Sequence, residues 1–163
     1  MSLVRVAVHM QPQRDENGHE IFRVALPMGA FFVQGLDKQE LETARIELQE
    51  KYRALVETLR PMLPHLREGN VLRYWMLGDV INEFEMQNVN ALVFVDKLSD
   101  HLARDVGYSK TMIDLCRRFR HKFSDAAQID PTLSFDAYHR NSFDPQRAAA
   151  YERAKSSKRP RKK

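Results

Sequence analysis

Apolar side chains recur at a helical period between residues 37 and 123, and four helices follow from that spacing. Asp37, with Glu40 three residues on, reads as the N-cap and capping box of the longest. Its stripe is Leu41, Leu48, Tyr52, Leu55 and Leu59, and Pro61 and Pro64 close it. Asn70 is placed to cap a second helix. Its stripe is Tyr74, Leu77, Ile81 and Phe84, with Val80 beside it and Trp75 and Gly78 on the flank. A glycine inside a helix costs about 1 kcal/mol relative to alanine. Gly78 therefore implies close approach by a neighbouring helix or by the indole of Trp75. Residues 86–90 read as a turn. Ala91, Val95, Leu98 and Leu102 then form the stripe of a third helix, and Met112, Leu115, Cys116, Phe119 and Phe123 that of a fourth.

Before residue 37 the pattern changes. Leu3–His9 is rich in β-branched residues and reads as a strand, Asn17-Gly18 as a tight turn, and Ile21–Leu26 as the returning strand. Pro27 and Gly29 end it. A lone hairpin is marginal in water, so it must pack on the helices or pair with a second copy. After Ser124 the periodicity weakens. Residues 132–140 suggest a short helix, and Pro145 suits the first turn of another over Gln146–Lys155. The expected fold is mainly α: a helical bundle with a helix–turn–helix, an N-terminal β-hairpin and a C-terminal helical arm. Its segments are a hairpin and linker (1–36), a helical core (37–124), the arm (125–154) and a disordered basic tail (155–163).

Composition narrows the partners. No apolar run approaches the roughly 20 residues of a membrane span, and the start lacks the apolar core of a signal peptide. A single cysteine, Cys116, excludes an intrachain disulfide and a Cys-rich zinc site, which fits a reducing compartment. The expected location is cytoplasmic and nucleoid-associated, or nuclear in a eukaryote. The formal net charge is +4, but residues 155–163 carry six cations and no acid, leaving −2 for residues 1–154. Nucleic-acid affinity must then come from a local patch, from the tail, or from both.

Residues 98–122 supply such a patch. Asp105-Val106-Gly107-Tyr108-Ser109 forms a turn between two short helices, Ser109 is placed to cap the second, and that helix is dense in Arg. With its apolar stripe inward, Lys110, Thr111, Asp114, Arg117, Arg118 and His121 face outward. Lys110 and Thr111, near the helix start, are candidates for base edges; Arg117, Arg118, His121 and Lys122 are candidates for phosphates. Lys158, Arg159, Arg161, Lys162 and Lys163 of the tail suit sequence-independent phosphate binding. The competing readings are a solvated helix face and a solubilising terminus. Tyr74 and Trp75 read as core rather than as a stacking platform, and Cys116 as an inert core thiol. The six histidines show no i, i+4 pair, and no phosphate loop or dinucleotide fingerprint is present, so neither metal nor nucleotide cofactor is expected.

Tyr74-Trp75-Met76-Leu77-Gly78-Asp79-Val80-Ile81, Leu98-Ser99-Asp100-His101-Leu102, Gly107-Tyr108-Ser109 and Arg118-Phe119 follow one another in an order and spacing similar to those of the helical N-terminal domain of YhcG-like proteins, a family of nucleases. The resemblance covers residues 69–123, with 37–60 fitting a preceding helix. It implies a winged-helix-like or helix–turn–helix DNA-binding module. The family's second domain needs clustered carboxylates and a Lys two residues after one of them. No Asp-x-Lys or Glu-x-Lys occurs in this chain. The expected function is therefore a non-enzymatic, homodimeric DNA-binding protein that favours duplex. It would act as a regulator of transcription or an accessory factor of a mobile element, with no membrane and no small-molecule substrate. A protein–protein adaptor on the same scaffold is the alternative.

Overall fold

The computed structural model describes residues 12–14, 20–26, 29–34, 38–90 and 93–157. They are mainly helical. Six α-helices are present among them: α1 (Lys38–Met62), α2 (Leu72–Asn90), α3 (Leu98–Val106), α4 (Lys110–Lys122), α5 (Phe135–Arg140) and α6 (Pro145–Ser157). Four strands, β1 (Pro12–Arg14), β2 (Glu20–Leu26), β3 (Gly29–Gln34) and β4 (Val93–Val95), form one antiparallel sheet in the order β1-β2-β3-β4. Two compact units divide the chain. Unit 1 holds residues 1–58 and 83–110; unit 2 holds 59–82 and 111–163.

Unit 1 contains the sheet. The expected two-stranded hairpin is corrected to four strands: β2 pairs with β1 at Pro12↔Phe22 and with β3 at Val24↔Phe31, and β3 pairs with β4 at Phe32↔Phe94. Pro12 stands in the edge strand, where its missing N–H costs least. The strand expected at Leu3–His9, the Asn17-Gly18 turn and the Asp37 cap lie outside the described residues. On α1 the expected stripe is buried at Leu48, Tyr52 and Leu55, joined by Val56. Tyr52 meets Phe84 edge-on at 6.3 Å, and its hydroxyl donates to Asp105 Oδ2 at 2.6 Å.

Residues 86–90 are helix, not turn. The buried Asn88 side chain donates to the Phe84 carbonyl at 2.7 Å, which satisfies a polar group that otherwise favours a break. The third helix likewise begins later than its pattern suggested. Val93 and Val95 belong to β4, Lys97 turns the chain through the left-handed region (φ 52°), and α3 starts at Leu98. Gly107, at φ 67°, ends α3, a backbone state that glycine adopts without strain.

Unit 2 is built around Phe119. Its ring lies 5.1 Å from Phe123, 5.3 Å from Phe135 and Phe143, and 5.4 Å from Tyr138. Asn70 caps α2 as expected: its Oδ1 accepts from Leu72 N at 3.0 Å. Ser134 caps α5 through Ala137 N, and Asp144 Oδ1 accepts from Arg147 N at 3.0 Å in the first turn of α6. Ala148 is fully buried, so α6 is part of this core rather than a free arm. A methyl side chain there lets the helix backbone come close.

Candidate nucleic-acid interface

The inner face of α4 is fixed by Ile113, Leu115, Cys116 and Phe119, none more than 5% exposed. The close approach expected at Gly78 is made by α4: a Cβ there would lie 2.1 Å from the Cys116 carbonyl oxygen. Burial pushes the Cys116 thiol up to about 12, which leaves it protonated and unreactive at neutral pH.

Three cations of the predicted basic helix have partners within the protein. Lys110 Nζ lies 3.0 Å from Asp100 in unit 1. In unit 2, Arg117 Nε donates to Asn82 Oδ1 at 3.2 Å, while Asn82 Nδ2 donates to the Arg117 carbonyl at 3.1 Å. Arg120 Nε donates to Asp79 Oδ1 at 2.5 Å, and its guanidinium stands 4.7 Å from the Trp75 ring centroid. The Trp75 indole donates to the Phe123 carbonyl at 2.8 Å. Arg120 thus acts as a clasp between α2 and α4. Trp75 is packed against the unit 2 core, as its sequence position implied.

The remaining candidates stand outward. Thr111, Arg118, His121 and Lys122 are exposed, as is Ser109 immediately before the helix. Thr111, Arg118 and Lys122 share one helix face by their i, i+7, i+11 spacing. Arg118 and His121 carry no ion pair among the described residues. Asp144 is held below the ordinary carboxylate range, chiefly by the Arg147 backbone N–H, with Lys122 adding its positive field. Lys158, Arg159, Arg161, Lys162 and Lys163 lie outside the described residues.

The sequence tally of −2 before the tail conceals a segregation that only the fold reveals. Unit 1 has ten Lys and Arg against fourteen Asp and Glu, a net of −4; unit 2 before the tail has ten against eight, a net of +2, and residues 155–163 raise it to +8. Among the described residues no cluster of three metal-ligating side chains occurs, and no helix is long and apolar enough to cross a membrane. No family model, curated protein or solved structure matches the chain.

Proposed function

We propose that the chain is a nucleic-acid-binding module that grips phosphates through the exposed C-terminal half of α4 and the basic tail. The observation that carries this reading is the pair Arg118 and Lys122, one turn apart and exposed, with His121 beside them, on a unit whose net charge is +2 before the tail and +8 with it. Cations so placed release condensed counterions when they meet a polyanion. Duplex DNA is the favoured ligand, with α4 as the groove element and Thr111 available to a base edge. The binding species is a homodimer without catalytic activity. The likeness of residues 69–123 to the YhcG-like helical domain supports the same reading. Lys110 and Arg117 contribute less than their charge suggests, because each already serves a protein partner.

The test is fluorescence anisotropy against a random duplex over a range of salt. Each lost phosphate contact lowers the slope of log affinity against log salt by about 0.9. Arg118→Ala with Lys122→Ala is expected to lower the slope by about 2, and removal of residues 158–163 to lower it further, neither changing the melting temperature. Light scattering at micromolar concentration checks the dimer. If the intact chain ignores duplex at low salt, the adaptor reading takes its place. That reading is favoured by Met86 and Val89, which leave exposed apolar surface one turn apart on the acidic unit.

A further inference from the structure

Unit 2 contains a cleft of about 710 Å³ that the reading above does not use. Small-molecule sites span roughly 300–1,000 Å³, so the cleft has room for a base and its sugar. Its wall holds a stacked aromatic pair. Tyr74, half-buried on α2, lies parallel to Phe135 at 4.0 Å between centroids and 1° between planes. Met112 and Leu115 of α4 add apolar floor.

The polar lining is of both signs. Arg67 and Lys155 bring positive charge; the Lys155 ammonium stands 5.9 Å from the Tyr151 ring. Asp136 and Glu152 bring acceptors. Asp136 Oδ1 is held by Arg140 Nε at 2.8 Å, and Glu152 Oε1 accepts a hydrogen bond from the Ser134 hydroxyl. A bare phosphate would meet these carboxylates unfavourably, and a hydrocarbon would leave the cations Arg67 and Lys155 at the rim unused. A ligand with a flat π-face, amino or ring N–H donors and one anionic group satisfies every feature at once. Those are the attributes of a nucleotide. The cleft and the phosphate-gripping residues Arg118 and Lys122 belong to the same unit.

We infer that this cleft receives a single unpaired nucleobase with its own phosphate, the base lying on Tyr74 and the phosphate between Arg67 and Lys155. The inference rests on the polyanion reading of the same unit. It makes the protein a reader of interrupted duplex rather than of duplex alone, since an extruded or bulged base enters such a site at less cost than a paired one.

The experiment compares two labelled duplexes that differ by one bulged adenine. Stacking on an aromatic ring favours the bulged duplex by about ten-fold in affinity. Tyr74→Leu is expected to abolish most of that preference while affinity for the perfect duplex stays unchanged. Arg67→Ala with Lys155→Ala, both exposed positions, reduces the preference by a route that leaves the core intact, should Tyr74→Leu fail to fold. Adenosine monophosphate is titrated in parallel, with the ring resonances of Tyr74 and Phe135 as readout. Equal affinity for the two duplexes, or a preference that survives both variants, overturns the inference. Monophosphate shifts without any duplex binding would instead overturn the polyanion reading, so the two failures are distinct.

Discussion

Replacing Gly78 by alanine sets two effects against each other. Helix propensity alone favours the change by about 1 kcal/mol. The fold opposes it, because the new methyl would sit 2.1 Å from the Cys116 carbonyl oxygen and 2.6 Å from its carbon. Ordinary contact needs about 3.5 Å, so α2 and α4 must part by roughly 1.4 Å at that point. Both obstructing atoms are backbone, so no rotamer change relieves the clash. Overpacking of this kind costs about 1–3 kcal/mol. Parting the helices also stretches the reciprocal Asn82–Arg117 bonds, each worth about 0.5–1.5 kcal/mol. The expected net loss is about 2–4 kcal/mol, or a fall in melting temperature of roughly 5–15 °C. Urea denaturation followed by the fluorescence of Trp75, the chain's single tryptophan, reads this directly, because its indole is hydrogen-bonded to Phe123 in the same unit. Gly78→Val should lose more. A Gly78→Ala protein as stable as the parent, or more so, would refute the close approach.

Three further outcomes are expected. Gly107→Ala, where nothing crowds a Cβ but φ is 67°, should cost about 1 kcal/mol of left-handed strain by urea melt, and Gly107→Asn less. Asp105 is held below the usual carboxylate range, first by its hydrogen bond with Arg104 and then by that from Tyr52. A depressed folded-state value stabilises above the unfolded value, near 4, and that stability disappears as pH falls through the lower one. Tyr52→Phe should therefore be about 1 kcal/mol less stable than the parent at pH 7, with the gap narrowing by pH 3; a constant gap would contradict the coupling. Arg120→Met should red-shift and broaden Trp75 emission, because it removes the cation over the indole and the Asp79 clasp together; unchanged emission would leave the clasp without support.

Much of the helical framework was legible in the chain. Leu48, Tyr52 and Leu55 are spaced to share a face, Asn70 is a strong capping residue, and a glycine among Leu77, Asp79 and Val80 invites a packing reason. What escaped was set by distant partners. Gly29–Gln34 opens on a glycine two residues after Pro27, so its apolar run looked like a break; pairing with β2 and β4 makes it a strand. Val95 fits a helical stripe with Leu98 equally well, and only the ladder to Phe31 decides for β4. Ile113 lies off the predicted stripe of α4 yet is 1% exposed. In the candidate interface, periodicity gave the outward direction of Arg118 but not the occupation of Lys110, Arg117 and Arg120, whose partners Asp100, Asn82 and Asp79 stand on other helices. The stacked pair escaped too, because Tyr74 and Phe135 are 61 residues apart.

Solvent does not reach Cys116, and its thiol stays protonated. Maleimide and nitroxide reagents will therefore pass over the native chain. Any cysteine introduced at an exposed position becomes its sole reactive handle, without first deleting the original. Glu57→Cys and Arg153→Cys, one in each unit, would accept a donor–acceptor pair on an otherwise native background.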